Sequence, residues 1–267
     1  METPSSLVEI AVSASIKAGE EILKIYNKDF NVEYKDDKSP LTEADLVSNT
    51  IINQHLLTTH IPIISEENKQ LPFSTRKEWT SCWIVDPIDG TKEFIKKNDE
   101  FTVNIALVER GICKLGVIYV PVTKELYYTN SDKTKAYKTI INNNKNFESV
   151  LFKEKDRINP RERNNSIIKV VGSRSHMNDD TLNYVEGLKN KFSEVEIVSK
   201  GSSLKFCLVA EGRADVYPRF APTMEWDTAA GQAICEAVGL KVLDQTTQNE
   251  MVYNRKNLLN NYFLVAK

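Results

Sequence analysis

The sequence predicts a fold in which an α+β half is followed by an α/β half. Two amphipathic helical patterns open the 267-residue chain, apolar strands joined by short turns follow, and helices then alternate with strands. Segregated helices and strands are typical of α+β folds, whereas regular alternation is typical of α/β folds. We therefore expect residues 1–150 and residues 151–267 to form two halves of different architecture.

The first half contains two predicted helices and a predicted antiparallel sheet. Apolar residues recur every three or four positions in 7–26, and a second such pattern begins at Thr42 and stops before Pro62. The residues Glu109-Arg110-Gly111 predict a hairpin turn between two strands. The predicted strands cover 82–85, 101–108, 112–120, 125–129 and 134–140.

The second half begins after an asparagine-rich and charged segment, 141–165, which predicts a domain boundary or an exposed connection. Gly212 and Gly239 follow two of the helical patterns, and glycine often ends a helix. The predicted strands cover 167–171, 195–198, 240–243 and 262–266. The predicted helices cover 179–192, 203–211 and 227–238.

Composition and charge exclude several classes of protein. Hydrophobic residues make up 41% of the chain and charged residues 27%, as in globular proteins. With 35 basic and 37 acidic residues the net charge is −2, so no general basic field attracts nucleic acid. The sequence has no apolar run of about 18 residues and no signal-peptide pattern. We expect a cytoplasmic protein without an integral membrane segment or a nucleic-acid partner.

The cysteines support the same expectation. The four cysteines lie far apart, at positions 82, 113, 207 and 235, without a Cys-x-x-Cys motif or a cluster of cysteine and histidine. This spacing favours buried free thiols in a reducing compartment, and it argues against a zinc site.

The most informative stretch is 86–91, Asp-Pro-Ile-Asp-Gly-Thr, which follows an apolar strand. A sharp turn here brings two carboxylates and the Ile88 carbonyl together, and Mg²⁺ prefers such hard oxygen ligands. The amides of Gly90 and Thr91 can open a helix and face an anion. The stretch therefore predicts a metal-assisted phosphate site, and an ordinary Asx turn is the alternative.

Three further acidic elements have both a structural and a functional interpretation. The pair Glu66-Glu67 follows an apolar strand and is either solvated or bound to a cation. Asp227 precedes a helix of small residues, where an N-cap is the structural alternative. The segment 42–45, Thr-Glu-Ala-Asp, fits a capping box that would satisfy Asp45 without any chemistry.

Together these residues resemble the signatures of the inositol monophosphatase superfamily of Mg²⁺-dependent phosphoesterases. Four stretches are similar to the CysQ-type 3′(2′),5′-bisphosphate nucleotidases within it, namely 89–94, 101–106, 171–176 and 201–207. The likeness runs from the first helix to the last strand, apart from 141–165. It implies an inositol-monophosphatase-like αβαβα layered sandwich.

The resemblance also implies roles for individual residues. Two or three Mg²⁺ ions would be held by Glu66, Asp86, Asp89, Asp227 and the Ile88 carbonyl oxygen, and the leucine that many relatives have at 88 would bind through the same main-chain atom. The catalytic residues would be Asp45, Thr91 and Glu66, with Asp45 and Thr91 activating the attacking water. The substrate would contact Asp89, Gly90, Thr91, Ser173, His176, Gly201, Lys205 and Asp227. We expect Lys205 on an exposed helix turn, and His176 can instead cap or pack.

The implied reaction is removal of the 3′-phosphate of adenosine 3′,5′-bisphosphate to give AMP and phosphate. The resemblance further implies use of the sulfated analogue, a role in sulfur assimilation, inhibition by lithium, and a monomer or homodimer in the cytoplasm or on the cytoplasmic face of the inner membrane.

Three alternatives to this function stay open. An inositol monophosphatase or a sugar-bisphosphate phosphatase would share every acidic ligand and differ only in the substrate pocket. A haloacid-dehalogenase-type phosphatase needs two aspartates two residues apart, whereas Asp86 and Asp89 are three apart. A non-catalytic sensor of nucleotide or metal would show no metal-dependent turnover.

Overall fold

The computed structural model describes residues 4–34, 40–142, 146–162, 166–172 and 178–267. The helices are α1 (Pro4–Tyr26), α2 (Glu43–Leu56), α3 (Phe73–Arg76), α4 (Thr91–Ile95), α5 (Asp179–Lys189), α6 (Leu204–Ala210) and α7 (Glu225–Ala237). The strands are β1 (Val32–Tyr34), β2 (Pro40–Thr42), β3 (Ile63–Ser65), β4 (Ser81–Asp89), β5 (Thr102–Glu109), β6 (Ile112–Val120), β7 (Glu125–Thr129), β8 (Ala136–Ile140), β9 (Ile167–Gly172), β10 (Glu194–Ser199), β11 (Tyr217–Arg219), β12 (Lys241–Asp244) and β13 (Phe263–Ala266).

A six-stranded sheet in the order β3-β4-β5-β6-β7-β8 forms the centre of the molecule. Strand β3 runs parallel to β4, and the other neighbours are antiparallel. Helices α1 and α2 pack on one face and α7 on the other, so apolar side chains are buried on both sides. Burial on both faces explains why these strands read as nearly continuous apolar runs.

A second, smaller set of strands lies beyond α6 and α7. Strands β11, β13 and β12 form one sheet, and the parallel pair β10-β9 joins it through a bridge between Val170 and Val216. Helices α6 and α7 pack against these strands, and α5 packs against β10 and β11. The layers therefore follow the predicted order αβαβα, which confirms the fold class. The division at residue 150 stays a prediction.

Small residues let α7 approach its neighbours closely. A Cβ atom on Gly116 of β6 would lie 2.4 Å from the Ala230 carbonyl oxygen, and one on Gly231 would lie 2.3 Å from the Phe206 ring. Because α7 is held this tightly, the acidic residues of its first turn have a defined position relative to the sheet.

Several boundaries differ from those predicted. Strand β4 does not stop at Val85 but continues through Asp89, and α7 begins at Glu225 rather than at Asp227. Strands β1, β2 and β11 were not predicted, since each has three residues and two of them contain proline, which disfavours strands.

The four cysteines are buried and free, as predicted. Within the described segments no helix is long and apolar enough to cross a membrane.

Candidate active site

The end of β4 brings two aspartates to the same side of the sheet. Asp86 lies opposite Asn104 of β5, and Asp89 lies opposite Thr102. Three residues along β4 therefore span the same distance as two residues along β5. This bulge adds one residue to β4. In a regular strand the side chains of Asp86 and Asp89 would lie on opposite faces, and because of the bulge they lie on the same side. The Asp86 Oδ1 atom accepts a hydrogen bond from the Ile88 amide at 3.1 Å.

A glycine joins β4 to α4 directly after Asp89. Gly90 has φ of +96°, a left-handed conformation that favours glycine. Its carbonyl oxygen accepts the Phe94 amide at 2.9 Å, which closes the first turn of α4. The sharp change of direction keeps Asp89 and Thr91 close together although they belong to different elements.

Asp45 and Thr91 meet, as the resemblance implies for a catalytic pair. The Oδ2 atom of Asp45 accepts hydrogen bonds from the Thr42 amide at 2.8 Å and from its hydroxyl at 2.7 Å, so the predicted capping box is present. The other oxygen, Oδ1, lies 3.3 Å from Thr91 Oγ1. Capping therefore uses one oxygen of this buried carboxylate and leaves the second to face Thr91.

Asp227 reaches the same region from α7. It occupies the third position of the helix and accepts the Met224 amide at 2.8 Å, so the N-cap is Met224 and the alternative of Asp227 as N-cap is wrong. Ser203 Oγ lies 2.7 Å from Asp89 Oδ2 and 3.0 Å from the Asp227 carbonyl oxygen. This hydroxyl thus connects the two elements that carry the aspartates.

The acidic side chains form one electrostatic cluster. Burial raises the pKa of Asp86 well above its ordinary value, and the charges of Glu66, Asp89, Asp227 and Asp45 raise it further. Burial and the neighbouring charge of Asp89 also raise the pKa of Asp227. A buried group of like charges is stable only when it is protonated or neutralised by a cation.

The donor set of this cluster fits Mg²⁺. It offers carboxylate oxygens and the Ile88 carbonyl, which lies 3.3 Å from Thr91 Oγ1. Among the described residues, no three His, Cys, Asp or Glu side chains already stand in positions that could hold a metal ion. Asp45, Asp86 and Asp227 each accept a hydrogen bond from a nearby main-chain amide.

A cavity of about 100 Å³ opens beside Asp89 and Asp227. Two cationic side chains, Lys205 and Arg219, line the same cavity. The expectation of an exposed Lys205 is wrong: its exposed fraction is 6%. Its Nζ atom donates to the Ser202 carbonyl, and burial lowers its pKa to about 8. The helix turn is covered by the rest of the fold, which the local sequence does not show.

Arg219 on β11 is a functional candidate that sequence reasoning missed. One Nη atom donates to the Pro222 carbonyl at 3.1 Å, whereas the buried Nε–H has no partner among the described residues. A buried guanidinium N–H without an acceptor indicates room for an anionic ligand. The only sequence signal was a single arginine seven residues before Trp226.

The remaining predicted residues have different outcomes. Gly201 lines the cavity, but its amide already donates to Glu100 Oε2 at 2.8 Å. The Glu66 amide bonds to the Val85 carbonyl at 3.2 Å, which places Glu66 beside β4. Ser173 and His176 lie outside the described residues.

Comparison with known proteins identifies the family of this chain. The profile of the inositol monophosphatase family matches residues 3–266. Over 264 residues the chain is 42% identical to the 3′(2′),5′-bisphosphate nucleotidase CysQ of Salmonella typhimurium, covering 97% of this chain and 99% of that one. The Escherichia coli K12 protein of the same name is 41% identical over 253 residues, 93% of this chain and 95% of that one.

Solved structures show the same fold. The crystal structure of CysQ from Bacteroides thetaiotaomicron superposes with a TM-score of 0.85 at 45% identity, covering 98% of this chain and 97% of that one. A staphylococcal inositol monophosphatase-1 soaked in LiCl superposes with a TM-score of 0.77 at 18% identity, covering 100% and 91%.

Proposed function

Because the chain belongs to the inositol monophosphatase family, we propose that this phosphatase is a Mg²⁺-dependent 3′(2′),5′-bisphosphate nucleotidase. It removes the 3′-phosphate of adenosine 3′,5′-bisphosphate and releases AMP and phosphate. One observation carries the proposal: a single cavity is lined both by the acidic residues Asp89 and Asp227 and by the cationic residues Lys205 and Arg219. A substrate with two phosphates fits this lining, because Mg²⁺ held by the aspartates would attract one phosphate and the two cations would attract the other.

Different residues of the chain have different roles at the phosphate that reacts. Two or three Mg²⁺ ions, held by Glu66, Asp86, Asp89, Asp227 and the Ile88 carbonyl, would supply Lewis acidity and lower the pKa of a water molecule. The Thr91 hydroxyl, 3.3 Å from Asp45 Oδ1, orients the attacking water, and Asp45 receives its proton. Glu66 acts beside them as a catalytic residue.

The chain's own donors bind the two ends of the substrate. The amides of Gly90 and Thr91, at the start of α4, hold the phosphate that is removed. Lys205 and Arg219 hold the second phosphate, which the partly buried setting strengthens because few water molecules screen the charges. As the resemblance implies, Ser173, His176 and Gly201 contact the nucleotide.

The same pocket extends the proposal to physiology. A sulfate on the second phosphate keeps its negative charge, so we propose that the sulfated analogue is also a substrate and that the enzyme serves sulfur assimilation in the cytoplasm. Lithium competes with Mg²⁺ for the same oxygen ligands, so we propose that it inhibits turnover.

Phosphate release tests the proposed function. With Mg²⁺ present, we expect kcat/KM for adenosine 3′,5′-bisphosphate to exceed that for inositol 1-phosphate by at least about a hundredfold, because only the bisphosphate has a second phosphate for Lys205 and Arg219. A preference for inositol 1-phosphate would keep the phosphatase assignment and overturn the substrate. No release from either of them or from a sugar bisphosphate, with or without Mg²⁺, would favour the non-catalytic sensor.

Replacing Lys205 tests the second-phosphate site. Lys205→Ala is expected to raise KM for adenosine 3′,5′-bisphosphate about tenfold, and KM for adenosine 3′-phosphate less than about twofold, since only the first has a phosphate for the ammonium. Lys205→Met fills the buried space without charge and separates this effect from loss of packing. Equal changes for the two substrates would show that Lys205 does not bind the second phosphate.

The pH profile supplies a second readout for Lys205. Its pKa is lowered to about 8, so the ammonium loses its proton as the pH rises through that value. We expect kcat/KM for the bisphosphate to fall relative to adenosine 3′-phosphate across this range, and we expect Lys205→Met to remove the step.

A further inference from the structure

Glu100, two residues before the start of β5, lies outside the acidic cluster and is buried, with an exposed fraction of 7%. Its carboxylate reaches across to the segment that precedes α6. The Oε2 atom accepts the Gly201 amide at 2.8 Å, and Oε1 accepts the Lys200 ammonium at 3.1 Å. A carboxylate that accepts a buried amide forms one of the stronger hydrogen bonds in proteins.

The main chain of Glu100 also fits between two glycines of the site. Its carbonyl oxygen lies 3.0 Å from the position that a Cβ atom on Gly90 would take, and 3.1 Å from that of a Cβ on Gly201. A larger residue at either glycine would therefore contact this oxygen. Through Glu100, the turn after β4 and the segment before α6 are held at a set separation.

The segment that delivers Glu100 is itself held in a strained shape. Lys97 and Asp99 have φ of +51° and +67°, left-handed values that non-glycine residues seldom adopt. The Tyr26 hydroxyl of α1 donates to Asp99 Oδ1 at 2.8 Å, and Asn98 Oδ1 accepts the Glu100 amide at 3.1 Å. Such strain persists where the surroundings fix it, so α1 sets the position of Glu100 independently of Gly201.

The segment that Glu100 holds carries groups that contact Asp89 and Lys205, both of which line the cavity. Ser202 and Ser203 lie 3.0 and 2.7 Å from Asp89 Oδ2, and the Ser202 carbonyl accepts the Lys205 ammonium. We propose that Glu100 is a positioning residue that holds segment 201–205 in place and thereby sets the preference for substrates with a second phosphate. The substrate part of this inference rests on the proposed function.

The bond to the Gly201 amide, rather than the ion pair, carries this role. The Lys200 side chain is 34% exposed, so water can replace the carboxylate as a partner of its ammonium. Partly exposed ion pairs contribute little to stability. The Gly201 amide is buried and has no such replacement.

Three variants separate the effect of side-chain length from the effect of side-chain charge. Glu100→Gln keeps the length of the side chain and an acceptor oxygen, Glu100→Asp keeps the charge but is one methylene shorter, and Lys200→Ala removes only the ion pair. We expect Glu100→Asp to raise KM for adenosine 3′,5′-bisphosphate about tenfold and KM for adenosine 3′-phosphate less than about twofold. Glu100→Gln and Lys200→Ala should stay within about twofold for both substrates.

Amide hydrogen exchange tests the positioning without any substrate. In Glu100→Asp we expect the amides of 200–205 to exchange about tenfold faster, with wild-type rates in Glu100→Gln and Lys200→Ala. Unchanged exchange in Glu100→Asp, or equally fast exchange in Lys200→Ala, would overturn the positioning role. If Glu100→Asp does not fold, the test uses Glu100→Gln. Exchange of the amides of 200–205 in that variant at the rate set by global unfolding would then overturn the positioning role.

The two proposals fail in different ways. If the wild-type enzyme does not hydrolyse the bisphosphate but the exchange rates change as expected, the proposed function is wrong and the positioning role stands. If the bisphosphate is the preferred substrate and the ratio of the two KM values stays the same in Glu100→Asp, the specificity role of Glu100 is wrong.

Discussion

Asp89→Asn is expected to lower kcat by at least about a thousandfold while the protein stays folded. Asparagine has the size of aspartate and keeps an acceptor for Ser202 and Ser203, which lie 3.0 and 2.7 Å from Oδ2. The substitution removes one negative charge from the cluster that we propose to hold Mg²⁺. Metal affinity in such sites depends on the number of charged ligands, so binding and turnover are lost together.

Three measurements decide the result for Asp89→Asn. These are kcat over a titration of Mg²⁺, Mg²⁺ binding by calorimetry, and the midpoint of thermal unfolding. Asp132→Asn is the matched control, since this aspartate accepts hydrogen bonds from Thr134 within an exposed turn and should leave all three unchanged. Turnover near the wild-type value in Asp89→Asn would exclude Asp89 from the metal site.

Gly116→Ala is expected to destabilise the protein by about 3 kcal/mol. The added Cβ would lie 2.4 Å from the Ala230 carbonyl oxygen and 2.9 Å from the Ala233 Cβ, both on α7. Neither is the end of a flexible side chain, so the helix or the strand must move. Since α7 carries Asp227, we also expect activity to fall.

A second glycine provides the control for this prediction. Gly187 lies within α5, and a Cβ atom there would have no neighbour within 4 Å. Gly187→Ala should therefore stabilise the protein by about 0.5–1 kcal/mol, because alanine favours the helix. Denaturant unfolding measures both free energies. A loss of less than about 1 kcal/mol in Gly116→Ala would show that α7 can adjust its distance from the sheet.

Much of the fold could be predicted because its signals are local. The antiparallel run from β5 to β8 has long apolar strands and a clear turn at Gly111, and strands β6 and β7 have the predicted bounds. The short strands could not be found in this way. Strand β11 has three residues including Pro218, and only its pairing with β13 makes it a strand.

In the candidate site, too, some features follow from local sequence signals and others do not. Asp86, Asp89 and Thr91 belong to one stretch of sequence, and their proximity follows from a bulge and a glycine turn. Asp45 and Asp227 come from distant segments, and the resemblance, not their local pattern, brought them into the predicted site. The proposed metal ligands keep their status as a prediction.

By itself the sequence determined which chemistry is available: the acidic stretch 86–91, the family to which it belongs and the order of the layers. Only the tertiary structure decided that Lys205 is buried, that the buried Arg219 Nε–H has no partner within the described segments, and that Glu100 accepts the Gly201 amide. The physical reason is that burial and hydrogen-bond partners depend on segments far apart in the chain. Local patterns report on turns, caps and strands, whereas a pocket is formed where several distant segments pack together.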